Sequence, residues 1–307
     1  MPSDERHAVH GHWQDRLLHR PVCDLLGCRV PLVLAGMGGV ARAELAAAVA
    51  QAGGFGFLGM VREPVALIRD EVAQLRAAGV ARFGVNLIPS ATDPALLAAQ
   101  VEACIALKVP VLGLFWDVVP ELIRPAVDAG MLVVHQIGSL DDARRAEAAG
   151  AGVLVVQGVD AGGHVRMTQP LVQLLPEVLA SARVPVLAGG GVGNGADVAT
   201  LLALGAQGVM LGADSIATRE SFTRPNQERR LDAVAGAGER LRRIAAEAAQ
   251  MLRTAADEPP PVELSSPVCY GREFGLARGW RAVRPSTGNR WWPNPTHCWK
   301  APARACV

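Results

Sequence analysis

The feature that most constrains the fold is a repeated alternation between short apolar runs and helical patterns. Short, continuous apolar runs rich in Val and Leu are typical of parallel strands that are buried on both faces. Eight such runs, separated by helical segments, predict a TIM-type (β/α)8 barrel. The predicted strands are residues 30–35, 55–58, 83–87, 111–115, 132–135, 153–156, 186–188 and 209–211.

The segments between the runs carry helix signals, such as Ser139 before one helix and Gly150 after it. A C-terminal helical segment at 239–253 has apolar residues at helical spacing and is expected to close the barrel. We therefore divide the chain into an N-terminal arm (1–22), a barrel with its closing helix (23–258) and an irregular Pro/Trp-rich tail (259–307), to which no function is assigned. The other predicted helices are 42–52, 64–78, 94–107, 120–129, 140–149 and 195–204.

Composition excludes several classes of function. The chain has 307 residues, is 50% hydrophobic and carries a net charge of +1, which suits one large domain. Near-neutral charge and only 4% aromatic residues argue against a nucleic-acid partner. No apolar run is long enough to span a membrane, and the start does not resemble a secretory signal, so we expect a cytoplasmic protein.

Neither the cysteines nor the clustered histidines predict a metal site. His7, His10 and His12 lie in a short polar terminus, for which a disordered tip is the favoured interpretation. The cysteines show no CxxC pair or other metal-ligand spacing, so we expect inert thiols in a reducing compartment. They are Cys23, Cys28, Cys104, Cys269, Cys298 and Cys306.

The loop after the sixth strand supplies the candidate catalytic residue. Residues 153–164 read VLVVQGVDAGGH, so Gly162 and Gly163 place His164 just beyond the carboxyl end of a strand. In a (β/α)8 barrel, that end is the catalytic face. A loop histidine that only contacts solvent or a carbonyl oxygen is the ordinary alternative, and the neighbouring strands argue against it.

Glycines end the next two strands and predict a phosphate site. Gly189, Gly190 and Gly191 follow the seventh strand, a helix comes next, and Gly212 follows the eighth strand. Backbone N–H groups there would converge on an anion beside a helix N-terminus. The same stretch, 191–196, also fits a dinucleotide-binding G-x-G-x-x-[GA] pattern with Asp214 further on, but it stands at the seventh repeat of an unbroken alternation.

Two other strand ends carry candidate ligand contacts. Gly36, Met37 and Gly38 follow the first strand and leave room for a flat ring against the backbone. Asn86 lies near the end of the third strand, where its amide can bind a polar heterocycle or cap the following turn. Trp116, after the fourth strand, is either ordinary packing or a wall over a ligand.

Several of these stretches together resemble the nitronate monooxygenase family, formerly called 2-nitropropane dioxygenases. The resemblance covers about residues 24–221, and its most specific element is the GGH loop placed before the glycine phosphate site. It rests on PLVLAGMGGV, AELAAAVAQAGGFGFLG, FGVNL, VVHQIGSLDDARRAEAAGA, VVQGVDAGGH, VPVLAGGGVGNGADVATLLALGAQGVMLG and ATRES.

The resemblance implies an FMN-dependent oxidoreductase that oxidises alkyl nitronates with O2 to carbonyl compounds and nitrite. It implies that His164 is the catalytic base beside the flavin ring, and that Asn86 and Gln136 bind the polar edge of the ring. Met37 and its flanking glycines would lie against the ring. The implied cofactor-binding residues are Gly36, Met37, Gly38, Asn86, Gln136, Gly162, Gly163, Gly189, Gly190, Gly191, Gly212 and Ala213.

The chain departs from the family pattern after the eighth strand. Where the family usually has G-T-R-F, this chain has Gly212, Ala213, Asp214 and Ser215, so a hydroxyl donor is lost and a negative charge is added near the phosphate. Alternatives are a flavin-dependent enoyl-acyl-carrier-protein reductase or an NAD(P)H:quinone reductase, either of which would use NAD(P)H. A barrel that binds a phosphorylated ligand without catalysis is a further alternative.

Overall fold

The apolar runs form a closed barrel of eight parallel strands in chain order, as predicted. The structure is a computed structural model that describes residues 17–161, 165, 167–212, 218–222 and 236–254. The predicted roles of Gly162, Gly163, His164, Ala213 and Asp214 therefore fall outside the described residues, as does the tail.

Nearly all residues of each strand are buried, because the barrel interior covers one face of the strand and the helices cover the other. The first and last strands close the barrel through the pairing of Val33 with Met210. The strands are β1 (Leu32–Leu34), β2 (Phe55–Gly59), β3 (Gly84–Leu87), β4 (Val111–Phe115), β5 (Leu132–Ile137), β6 (Val153–Gln157), β7 (Val186–Gly189) and β8 (Gly208–Leu211).

The described residues form nine α-helices and one short 3-10 helix (Pro89–Ala91). The Ser139 hydroxyl accepts a hydrogen bond from the Asp142 N–H at 3.1 Å, and Gly150 ends the same helix with φ +111°, as its sequence predicts. The helices are α1 (Pro21–Leu26), α2 (Ala43–Gln51), α3 (Val65–Ala77), α4 (Pro94–Ala106), α5 (Pro120–Asp128), α6 (Leu140–Ala149), α7 (Leu171–Ser181), α8 (Gly195–Ala203) and α9 (Ala237–Thr254).

Helix α1 packs its apolar face against the amino-terminal end of the barrel. Val22, Cys23 and Leu26 are fully buried and belong to the same apolar cluster as the inward-facing strand residues. The short helix therefore acts as the floor of the barrel, opposite the carboxyl ends of the strands. The inward-facing partners are Val33, Phe55, Phe57, Val111, Val134, Val153, Val155 and Leu187.

The C-terminal helix α9 packs along α8 and α2, as expected for a closing helix. The Glu247 carboxylate accepts a hydrogen bond from the Gly195 N–H at 3.1 Å, and a Cβ at Gly195 would collide with Glu247 and Ala248. Glycine at this position thus permits the close approach of the two helices. No helix in the described ranges combines the length and the apolar character needed to cross a membrane.

Three differences from the sequence-based expectations are informative. The sequence does not predict helices α1 and α7, because the first has only six residues and the second contains Pro176. Strands β5 and β6 extend beyond their apolar runs to include Gln136 and Gln157. The dinucleotide-binding alternative for 191–196 is wrong, because this stretch lies between β7 and β8 of one closed barrel.

Candidate active site

The loop after β1 is held against the end of β3 by Asn86. The Asn86 Nδ2 donates a hydrogen bond to the Gly36 carbonyl oxygen at 3.0 Å. A Cβ at Gly36 would collide with the Asn86 side chain, so glycine is needed for this close approach. The structure therefore brings together two predicted cofactor-binding positions and gives Asn86 a role in positioning the loop.

Met37 bridges the ends of β1, β2 and β8. Its carbonyl group lies where a Cβ of Gly59 would be, so the loop crosses directly over the end of β2. Its sulfur would be 3.9 Å from a Cβ at Gly212, which follows β8. The predicted ring-binding residue and one predicted phosphate-site glycine therefore lie at adjacent parts of the same rim.

The turn after β7 has a backbone that favours glycine. Gly190 has φ +112° and Gly191 has φ +71°. A Cβ at Gly190 would lie 2.8 Å from the Ala161 Cβ, so the turn is pressed against the loop that leads to His164. None of the backbone hydrogen bonds formed among the described residues uses the N–H of Gly190 or Gly191.

The N-terminus of α8 is capped by side chains of the helix itself, and this reduces the number of backbone N–H groups left to bind a phosphate there. The Asp197 carboxylate accepts hydrogen bonds from the Gly193 N–H at 2.9 Å and the Asn194 N–H at 3.3 Å. The Asn194 side chain in turn accepts from the Asp197 N–H, which completes a capping box. The donors expected at this helix end are thus partly used, and an anion would depend on the turn at Gly190 and Gly191.

Polar side chains form a layer at the inner rim of the barrel. Side chains on a strand alternate between its faces, and Val134 and Val155 point inward. Gln136 and Gln157 lie two residues further along their strands, so they share the inward direction. Asn86 likewise lies near the carboxyl end of its strand, one residue before β3 ends at Leu87. Gln157 was missed by sequence reasoning, although its alternation with Val153 and Val155 was the available signal.

An apolar cluster stands beside this layer at the ends of β3 and β4. The rings of Phe115 and Trp116 have their centroids 4.9 Å apart. Trp116 has φ +75°, an uncommon backbone conformation for a bulky residue, so the turn after β4 is strained to hold it there. The other members are Val61, Ile88, Ala91, Val165 and Met167.

His135 is a buried histidine close to the rim. Its Nδ1 lies 3.1 Å from the Gln136 carbonyl oxygen, and its Nε2 lies 3.3 Å from the Asp117 carbonyl oxygen. Burial lowers the pKa of His135 below its usual 6.5, and the two backbone contacts oppose that shift only in part. The residue is therefore neutral at physiological pH and ties the turn after β4 to β5.

The loop that carries His164 is anchored on both sides. The Asp160 carboxylate accepts a hydrogen bond from the Leu171 N–H at 2.9 Å, at the start of α7. The Val159 N–H donates to the Gln169 carbonyl oxygen at 2.9 Å. Residues before and after 162–164 are thus joined to each other, and the loop is attached to the rim next to the Gly190 turn.

The described residues fit a flat cofactor with an anionic end. A Cβ at Gly38 or Gly212 would approach no other described atom more closely than 3.7 Å, so the described residues leave these glycines uncrowded. Glycine backbone at Gly36 and Gly38 suits contact with a flat ring, and the turn at Gly190 suits an anion. Within the described ranges, no three His, Cys, Asp or Glu residues are grouped so that they could hold a metal ion.

Comparison with known proteins identifies the family. The family model for nitronate monooxygenase matches residues 19–109 and 97–254. The chain belongs to the nitronate monooxygenase family. The predicted resemblance to this family is thereby confirmed. A nitronate monooxygenase from Paraburkholderia phytofirmans is 31% identical over 67% of this chain and 69% of its own length.

Other similar proteins have different names. A (3aS,4S,5R,7aS)-5-hydroxy-7a-methyl-1-oxo-octahydro-1H-indene-4-carboxyl-CoA dehydrogenase from Mycobacterium tuberculosis is 35% identical over 66% of this chain. The match covers 57% of that relative's length. Among solved structures, FabK from Thermotoga maritima has a TM-score of 0.64 at 33% identity, covering 67% of this chain and 65% of that one. A nitroalkane oxidase from Streptomyces ansochromogenes, at 23% identity and TM-score 0.61, covers 84% of this chain and 97% of its own and shows the shared fold.

Proposed function

We propose that this chain is an FMN-dependent oxidoreductase that oxidises alkyl nitronates with O2 to carbonyl compounds and nitrite. The observation that carries the proposal is the placement of the Gly36–Asn86 contact and the Gly190 turn on one barrel rim, with inward amides between them. Membership of the nitronate monooxygenase family supports the same reaction.

The glycine turns would hold the two ends of FMN. We assign the phosphate to Gly189, Gly190, Gly191 and Gly212, with Gly162, Gly163 and Ala213 completing that end. The ring would lie on Gly36, Met37 and Gly38, and Asn86 and Gln136 would bind its polar edge. FMN supplies the redox chemistry when it is bound.

We assign His164 as the catalytic base. A neutral imidazole can accept the proton from the α-carbon of a nitroalkane, which yields the nitronate, and the imidazolium can orient a nitronate anion, whether it forms there or binds as such. The hydrogen bonds of Val159 to Gln169 and of Asp160 to Leu171 support this role, because they restrict where the loop can place its side chains. The apolar cluster at Phe115 and Trp116 is suited to contact the alkyl part of a substrate and to exclude water.

The proposed reaction differs from the alternative reactions in its co-substrate, which is O2 and not NADH or NADPH. The purified full chain should contain FMN and consume O2 with propyl-2-nitronate in the absence of NADH or NADPH. A colourless protein that does not bind added FMN would favour a barrel that binds a phosphorylated ligand without catalysis. We place the enzyme in the cytoplasm, since the free thiols of Cys23, Cys28 and Cys104 suit a reducing compartment.

A second candidate is a flavin-dependent reductase or dehydrogenase of an acyl thioester. It is favoured by the name of the 35% identical relative, which is a dehydrogenase of a carboxyl-CoA. This candidate predicts oxidation of NAD(P)H that depends on an enoyl thioester, with little O2 uptake on nitronate. An NAD(P)H:quinone reductase would instead oxidise NAD(P)H in the presence of a quinone.

A further inference from the structure

The apolar cluster at the ends of β3 and β4 extends along the rim in both directions. At one end is Val61, whose Cβ would lie 3.7 Å from a Cβ built at Gly38. At the other end is Val165, the residue that follows His164 in the sequence. The cluster is therefore next to both the loop that we assign to the flavin ring and the loop that carries the proposed base.

Trp116 is held in this cluster by a strained turn. Its φ of +75° is uncommon for a bulky residue, and such a conformation persists only where the surrounding structure fixes the chain. Two side chains fix this turn. The His135 Nε2 lies 3.3 Å from the Asp117 carbonyl oxygen, and the Arg145 Nη2 donates to the Val118 carbonyl oxygen at 3.2 Å. The fold thus places a large indole ring where glycine would be free of strain.

The Trp116 ring is covered on one side and only partly buried. Its centroid lies 4.9 Å from that of Phe115, which is 6% exposed, whereas Trp116 has intermediate burial. The described residues therefore leave part of the indole uncovered at the rim. An indole ring offers a large apolar surface to a ligand.

Two arginines near this cluster already bind other groups of the protein. Arg42 forms an ion pair with Glu63 at 2.7 Å, and Arg145 donates to the turn after β4. Arg62, which follows Val61, is exposed. A negative group that lay against the indole would lose water beside apolar side chains, and burial of an unpaired charge is strongly unfavourable.

We propose that Trp116 makes the site selective for nitronates with an uncharged alkyl chain and against nitronates that carry a second anionic group. The inference rests on the proposed function, which places the nitronate between the flavin ring and His164. The alkyl chain would then contact the indole, with Val61 and Val165 beside it. Contact with this wall removes the apolar surface of the chain from water, whereas a carboxylate in the same place would lose its hydration.

The first test compares two nitronates of the same shape. Isopentyl nitronate has an isopropyl group where the nitronate of 3-nitropropionate has a carboxylate. Oxygen uptake by the FMN-loaded full chain should give a kcat/KM that is about 30-fold or more higher for isopentyl nitronate. Equal values, or the reverse preference that would follow if Arg62 bound the carboxylate, would overturn the proposal.

A binding measurement separates this inference from the proposed reaction, because it needs no turnover. Isocaproate and succinate carry a carboxylate in place of the nitronate group, and their far ends differ in the same way. Titration calorimetry on the full chain should show that isocaproate binds about tenfold or more tightly than succinate. This preference without any O2 uptake would contradict the reaction alone, whereas O2 uptake without the preference would contradict the specificity alone.

Trp116→Gly tests the residue itself, because glycine suits the positive φ and only the ring is lost. Its kcat/KM for isopentyl nitronate should fall about tenfold through a higher KM, while the value for ethyl nitronate, whose chain is too short to reach the indole, should change less than about twofold. Trp116→Phe should recover part of the preference and takes the place of Trp116→Gly if that variant does not fold.

Lys108→Gly is the matched control for the change to glycine. Lys108 also has a positive φ, of +50°, but it is exposed and follows α4, so this variant should keep the natural preference. An unchanged preference for isopentyl nitronate in Trp116→Gly, or an equal loss in Lys108→Gly, would overturn the role of Trp116.

Discussion

The Asn86 side chain donates a hydrogen bond to the Gly36 carbonyl oxygen across 3.0 Å, and this contact joins the loop after β1 to the end of β3. The loop carries the backbone that we assign to the flavin ring. The proposed position of the ring therefore depends on the same amide to which we assign the polar edge of that ring. The predicted contacts of Gly36 and Asn86 with the cofactor are therefore coupled through one hydrogen bond.

Replacing Asn86 with Ala should weaken FMN binding more than it weakens the fold. The change removes the donor to Gly36, which costs about 1 to 2 kcal/mol in the free energy of unfolding, and it frees the loop that supports the ring. FMN titration by fluorescence and urea unfolding measure the two effects. Gln51→Ala is the matched control, because it removes an exposed amide that donates to the Ala78 carbonyl oxygen at 3.3 Å, away from the rim. Equal FMN affinity in the two variants would contradict the assignment.

Replacing Gly190 with Val should empty the phosphate site. Gly190 has φ +112°, and a Cβ there would press on Ala161, so the variant strains the turn and fills the space of the anion. We expect loss of bound FMN, measured by absorbance after gel filtration. Gly79→Val provides the comparison, because Gly79 also has a positive φ of +77° but a Cβ there meets nothing within 4 Å. If Gly190→Val kept its FMN as fully as Gly79→Val, the turn would not be the phosphate site.

His135 should make the fold less stable in mild acid. Its folded pKa is lowered, so the unfolded chain binds the proton first, and stability is lost as the pH falls from about 6.5 toward that lower value. The loss should approach about 1.4 kcal/mol per pH unit within this window. Urea unfolding between pH 8 and 5 should show that His135→Leu has a shallower loss than the natural chain. Parallel curves for the natural chain and His135→Leu would show that His135 does not contribute.

The sequence predicts the barrel well because each strand is an apolar run that two layers bury. The sequence underestimates the lengths of β5 and β6, because both strands continue at the rim through a polar residue, Gln136 in β5 and Gln157 in β6. It misses α1, whose six residues have no distinctive periodicity and are helical because they pack on the barrel floor.

At the candidate site, the glycine pattern predicts the turn at Gly190 and Gly191. It does not predict that neighbouring backbone N–H groups are already bound by a side chain. The capping of α8 by Asp197 is a three-dimensional relationship, since the carboxylate folds back to the N–H groups of Gly193 and Asn194.

Oxygen uptake by the FMN-loaded full chain with propyl-2-nitronate, without NADH or NADPH, tests the central claim most directly when the natural chain is compared with His164→Asn. His164→Asn should leave FMN bound and lower O2 uptake by about 100-fold or more with neutral 2-nitropropane, which needs the base. With the nitronate, which is already deprotonated, the variant should lose rate because the cation that orients the anion is gone. His19→Asn, which changes a histidine beside the barrel floor, should retain the natural rate. An FMN-loaded natural chain that consumes no O2 with the nitronate, or a His164→Asn variant that turns over at the natural rate, would contradict the account.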